Sequence, residues 1–218
     1  MRSPQDSPRA SAAIKARDPT TKDLIRLAAS RQSTFTKGEG YGHAEQRHGR
    51  SVRFDKSGFA GEGHMLTLYE PKCEDLWFRQ MMLADEETMS YNHAWGGTIA
   101  WPQEEWASWH AYWVIDHEGK RYYRYLKDED GKYVGEIAYH YDAGTGHEMA
   151  NVIIHAPHRR KGYGGEALDL LCAAAKDNGV AALYDDIAID NPAIRLFLSH
   201  GFTEESRTKE KIYLQKRL

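Results

Sequence analysis

The alternation of apolar and polar positions changes period several times along the chain, and each change marks an element. Met65 to Tyr69 is a short strand-like run, and Glu74 to Met89 a helical segment with a loose apolar face of Leu76, Trp77, Met81 and Leu83. Ser90 to Ala100 is polar and centred on Gly96-Gly97, which predicts a loop. Pro102 suits a helix start, and Trp106, Trp109, Tyr112 and Trp113 then recur at helical spacing. Arg121 to Leu126 and Tyr133 to Asp142 read as strands joined through an Asp130-Gly131 turn. His147 to His155 is a further strand. A glycine-rich turn follows, then a helix from Gly165 to about Asp177 that Asn178-Gly179 ends. Val180 to Ile187 predicts a strand, Pro192 to Ser199 a short helix, Gly201-Phe202 a turn and Lys211 to Lys216 a last strand. This order predicts a mixed α/β sheet with one βαβ crossover at the glycine turn.

Residues 1–64 lack such periodicity. They are rich in Arg, Ser and Gly, and only Asp23 to Ala29 suits a short helix. Such a segment buries too little apolar surface to offset its chain entropy, so it is expected to be a disordered extension, with the folded domain over residues 65–218. A start assigned too far upstream of Met65 gives the same texture. Charge divides at the same place. Residues 1–64 hold 12 Lys/Arg against 7 Asp/Glu, while the whole chain carries a formal −3, which leaves the folded part acidic. A basic extension is the one place where nucleic acid would bind; no nucleic acid is expected elsewhere.

No apolar run reaches the length of a membrane span, and no signal-peptide core precedes the domain, so no membrane association is expected. Cys73 and Cys172 are far apart and make no metal-ligand spacing; Cys172 falls on a buried helix face. A cytoplasmic, reduced protein without a metal is the expectation, and a homodimer is left open.

The chemistry concentrates at Arg159-Arg160-Lys161-Gly162-Tyr163-Gly164-Gly165, between the apolar run Val152-Ile153-Ile154 and a helix. Backbone N–H groups at a helix N-terminus favour an anion, glycines permit close approach, and three cations add charge. The turn reads as a pyrophosphate cradle. A P-loop is excluded because no Gly-Lys-Ser/Thr is present, and a dinucleotide fold because the turn comes late in the chain.

The run Arg159-x-x-Gly162-x-Gly164 resembles the acyl-CoA signature of the GNAT N-acetyltransferases. Asp190-Asn191-Pro192-Ala193-Ile194-Arg195-Leu196-Phe197, with Gly201-Phe202 after it, looks like that family's later helix motif. The resemblance covers about Met65 to Leu218. It implies the family's α/β fold, with a mixed, mostly antiparallel central sheet and a β-α-β acyl-CoA-binding crossover. It also implies acetyl-CoA as acyl donor and transfer of acetyl to a primary amine. The strands either side of the glycine turn are expected to splay, with acyl-pantetheine paired to backbone from Val152 and Ile153 to Ile154 and His155. Asn191 and Phe197 would lie along the pantetheine arm; Asp190 is the alternative to Asn191.

One departure bears on mechanism. Family members often carry a Tyr that protonates the leaving thiolate where this chain has Phe197, so Tyr184 on the neighbouring strand becomes a candidate donor. Glu148, which begins the strand into the acyl site, is the candidate base. Of Asp185 and Asp186, adjacent on a strand, at most one is expected to face the site. His140, His147 and His155 are weaker candidates. On the acceptor side, Tyr91 and Trp95 lie in the polar-aromatic loop that commonly walls the pocket, whereas Trp106, Trp109 and Trp113 are expected to pack helices onto the sheet. Aromatic faces and an acidic domain favour a cationic small-molecule amine. A protein or peptide amine is a second reading, and a non-catalytic acyl-CoA-binding regulatory module a third.

Overall fold

The computed structural model describes residues 65–117 and 119–218. The expectations for residues 1–64 lie outside the described residues. Seven strands form one sheet in the order β1-β2-β3-β4-β5-β7-β6. They are β1 (Thr67–Tyr69), β2 (Arg121–Lys127), β3 (Tyr133–Asp142), β4 (His147–Ile154), β5 (Ala182–Ala188), β6 (Thr203–Arg207) and β7 (Lys211–Arg217). Every neighbouring pair is antiparallel except β4 and β5, which are parallel. The helices are α1 (Trp77–Ala84), α2 (Trp106–His110), α3 (Tyr163–Asp177) and α4 (Ala193–Ser199). α2 runs on as a wide π turn over Ala111–Ile115. The helix α3 is the crossover between the two parallel strands.

Side-chain alternation divides the core in two. Ile137, Tyr139, Ala150, Leu183, Ile187 and Leu214 pack with Leu168, Leu171 and Cys172 of α3 on one face. Tyr123, Tyr125, Ala138 and Ile153 pack on the other with Phe78 and Met82 of α1 and Trp106 of α2. One polar group is embedded in this second layer. Arg79 of α1, only 6% exposed, donates through Nη1 to Oε1 of the fully buried Glu136 on β3. Tyr123 donates to the other Glu136 oxygen at 2.5 Å. The guanidinium lies 4.7 Å from the Trp109 ring centroid and 5.5 Å from those of Trp101 and Tyr123.

The structure departs from the sequence reading in three places. The segment expected as one helix, Glu74 to Met89, is a 3₁₀ turn at Cys73–Leu76 followed by α1. It ends because Asp85 turns extended and its carboxylate takes the Thr88 N–H at 2.8 Å. The expected loop after it begins as helical turns over Thr88–Trp95, closed by Gly96 at φ 104°. Strand β6 has no counterpart in the sequence reading. All five of its residues are exposed, so no apolar alternation marks it, and its charges suit a sheet edge.

Removing one partner of a buried ion pair leaves a desolvated charge. Arg79→Met is therefore expected to cost about 3–5 kcal/mol. Arg79→Met combined with Glu136→Gln should recover most of that loss, and denaturant melts of the three proteins check it.

Candidate active site

The site originates where the sheet fails to close. β4 and β5 share a single pairing, Met149 with Tyr184, near their N-terminal ends. Beyond it the strands part. His155 N–H donates to Val134 O on β3. Backbone groups alternate sides along a strand, so the N–H groups of Val152 and Ile154, past the single pairing, point into the gap with no strand opposite. A cleft of about 1200 Å³ follows this gap through the sheet. It is lined on one face by Leu168 and Phe197 and on the other by Trp109 and Tyr123. Val152, Ile153 and Ile154 all line it; His155 does not, and packs edge-on to Phe78 at 5.9 Å.

At the C-terminal end of β4 the chain turns into α3. Gly162 caps the helix at φ 87°, a left-handed conformation suited to glycine, and Arg160 shares that region at φ 63°. Gly165 N–H closes back on Gly162 O at 3.1 Å. The N–H groups of Arg160, Lys161, Gly162, Tyr163 and Gly164 have no hydrogen-bond acceptor among the described residues. With the helix dipole behind them they have the character to hold an anion.

The three cations divide the work differently from the sequence reading. Arg159 is committed to protein: it donates from Nε to Ile154 O at 3.0 Å, from Nη1 to Glu87 O at 2.9 Å and from Nη2 to Thr88 O at 2.6 Å. It clamps the open end of β4 to the turn carrying Tyr91. Ala156 N–H donates to Thr88 Oγ1 at 2.9 Å and reinforces the clamp. Arg160 and the cradle glycines line the cleft, whereas Lys161 and Tyr163 do not. Gly164 and Gly165 also serve the packing of α3 on α4. A Cβ at Gly164 would stand 3.0 Å from Leu196, and one at Gly165 2.6 Å from His200.

On the opposite wall, Asn191 Oδ1 accepts the Ala193 N–H at 2.9 Å and starts α4. Phe197 is buried edge-on to Phe202 at 4.9 Å, with part of its surface on the cleft. Asp185 and Asp186 both line the cleft, contrary to the expectation of one, because a cleft that passes between strands is open to both faces. Asp186 takes Lys211 Nζ at 2.5 Å. Among the described residues Asp185 has no cationic partner. Desolvation, then the Asp186 charge, pushes its carboxyl well above the usual carboxylate range against the Asp186 N–H. Tyr184 stacks on His147, centroids 3.8 Å apart.

Glu148 lies on the α3 face of β4, in the alternate set with Ala150, and does not line the cleft. Its Oε2 is buried without a partner, and desolvation raises its carboxyl. On the α1–α2 side Tyr91 enters the cleft, its phenol pushed up by burial, with Glu136, Arg79 and Asp185 as its charged neighbours. Only the backbone of Trp95 is described. Trp109 and Trp113, stacked at 5.7 Å, both pack α2 and wall the cleft. His140, edge-on to Trp113 at 5.6 Å, also lines the cleft, and burial lowers its imidazole below the ordinary value. Arg79 went unrecognised in the sequence; a lone Arg on a loosely apolar helix face gives no signal. No cluster of three or more His, Cys, Asp or Glu side chains among the described residues suits a metal, and no described helix is long and apolar enough to cross a membrane.

A family model described as the acetyltransferase (GNAT) family matches residues 80–202. Among solved structures, the spermidine N-acetyltransferase of Vibrio cholerae, in complex with CoA and spermine, aligns with a TM-score of 0.57. Identity is 19%, over 70% of this chain and 95% of that one. A GNAT-family acetyltransferase from Bacillus anthracis aligns with a TM-score of 0.57 at 16% identity, over 71% and 95%. At such identities the likeness is one of fold. No curated protein matches the chain.

The environment of Asp185 gives a sign for pH dependence. Its folded-state pKa is raised, so the folded protein holds a proton that the unfolded chain has already lost. Stability therefore falls as pH rises from the ordinary carboxylate range through the raised value. Asp185→Asn removes that contribution, and its thermal midpoint should gain on the wild type between about pH 4 and pH 8. Melts across that range check this; a constant difference would contradict it.

Proposed function

The chain belongs to the acetyltransferase (GNAT) family, and from that premise we propose that it is an acetyl-CoA-dependent N-acetyltransferase acting on the primary amine of a cationic small molecule. The observation that carries this reading is the opened β4 arm leading to the uncommitted N–H groups at the α3 N-terminus. A pantetheine amide chain suits the unpaired edge of Val152 and Ile154, and a pyrophosphate suits the cradle of Arg160 to Gly164. Asn191 and Phe197 supply the opposite wall.

The acceptor enters from the side of Tyr91, Trp109 and Trp113, whose ring faces favour an ammonium group. The ammonium first gives up a proton to the neutral imidazole of His140, directly or through water. The amine nitrogen then attacks the thioester carbonyl. The C–N bond forms, and the carbonyl oxygen becomes an oxyanion facing a β4 N–H. The C–S bond breaks, and the thiolate takes a proton from the carboxyl of Asp185. The proton that His140 received returns to Asp185 through water, and the second proton that the nitrogen sheds on becoming an amide passes to solvent, so each turnover releases one proton. In this scheme Asp185 stands in for the hydroxyl that Phe197 lacks, and its elevated pKa suits a carboxyl that must stay protonated at neutral pH. Tyr184 is held against His147, and Glu148 supports the α3 face.

Calorimetric titration with acetyl-CoA should give saturable binding at micromolar concentration, and thiol release should accompany at least one amine of a broad panel. No binding at high micromolar concentration would sink the proposal. Binding without thiol release would identify a non-catalytic acyl-CoA module instead, the alternative to which Phe197 lends weight. Asp185→Asn is expected to retain acetyl-CoA affinity while kcat falls by about 10²–10⁴.

A further inference from the structure

The acceptor side of the cleft contains one polar group whose bonding is incomplete. Arg79 presents a fork of donors, of which Nη1 is taken by Glu136, with the Tyr123 hydroxyl beside the same guanidinium. Among the described residues its Nε is buried without a hydrogen-bond partner, and the residue, 6% exposed, lines the cleft. Nε and Nη2 form the side edge of the guanidinium, the edge that takes a carboxylate through two parallel hydrogen bonds. An unsatisfied buried donor is costly. Glu136 directs one oxygen to Nη1 and the other to the Tyr123 hydroxyl.

The location of this edge constrains what would fill it. Glu136 stands opposite Ile153 in the β3–β4 register. The guanidinium therefore lies over β3 at the level of the opened arm of β4, about one strand spacing of 5 Å from it. An α-amino group lies about 3 Å from its carboxylate oxygens, and a hydrogen bond of about 2.9 Å from those oxygens to the guanidinium makes up the rest of that distance. The α1–α2 side of the cleft includes the apolar residues Leu83, Met89, Ile99 and Trp109. Asp186 and Asp190, which might have attracted a second ammonium, are engaged by Lys211 and His93.

We propose that the side edge of Arg79 binds the carboxylate of the acceptor, so that the substrate is a zwitterionic α-amino acid with an apolar side chain. This rests on the acetyl-transfer reading and narrows it: the cationic amine carries an anion beside it. Arg79 is then the specificity-determining residue, and the Glu136–Tyr123 pair holds it in place.

The test compares leucine, methionine and phenylalanine, each beside its methyl ester and its decarboxylated amine, with acetyl-CoA and thiol release as the readout. At least one acid should exceed both of its counterparts at least tenfold in kcat/KM. In the variant Arg79→Met with Glu136→Gln, which leaves no unpaired buried charge, that ratio should fall to near one while acetyl-CoA still binds. Esters or decarboxylated amines used as well as the acids would overturn the proposal, as would an acid preference that survives in the variant. If acetyl-CoA binds but no amine is turned over, the acetyl-transfer reading fails separately. The carboxylate site is then read from tryptophan emission, since Trp101 and Trp109 flank Arg79. Saturable quenching by the acids and not the esters supports it, and its absence overturns it.

Discussion

The structure depends on a sheet that is prevented from closing. Parallel strands joined by a helix ordinarily pair along their length, yet β4 and β5 meet only at Met149 and Tyr184. The unpaired N–H and C=O groups beyond that point are costly unless water or a ligand satisfies them. The fold accepts this cost at one place and builds around it. The crossover α3 starts at the open end of the gap, so the free N–H groups of a strand edge and of a helix N-terminus face one channel.

Holding such a gap open requires rigid margins. Arg159 supplies one, with three backbone carbonyls from two separate segments on a single guanidinium. The Thr88 hydroxyl, bonded to Ala156 N–H, supplies a second tie between the same segments. On the other face the Arg79–Glu136–Tyr123 network fixes α1 to β2 and β3 within an aromatic layer. These polar contacts are directional, and they fix orientations that apolar packing alone would leave free.

Much of this was legible in one dimension. The strands Tyr133–Asp142 and His147–Ile154, the long helix after the glycine turn and the last strand all carry strong periodicity, because each buries a face against a neighbour. β6 was silent because nothing in it is buried. The glycine turn located one end of the cleft. Even there, sequence assigned Arg159 to an anion, whereas its guanidinium is committed to Ile154, Glu87 and Thr88. A motif records which residue types are present; it does not record which acceptors reach them first.

Local pattern by itself determined the order of elements other than β6, the single parallel crossover and the cluster of glycines and cations at the start of α3. These depend on period, glycine and helix polarity, all properties of short stretches of chain. The faces of Glu148 and Asp185, the partial use of Arg79 and the lowered basicity of His140 were decided only by the tertiary structure. Desolvation and pairing depend on groups brought together from distant positions, such as Arg79 and Glu136, 57 residues apart. A carboxyl such as Asp185 differs from any other aspartate in the sequence only through what surrounds it once the sheet has opened.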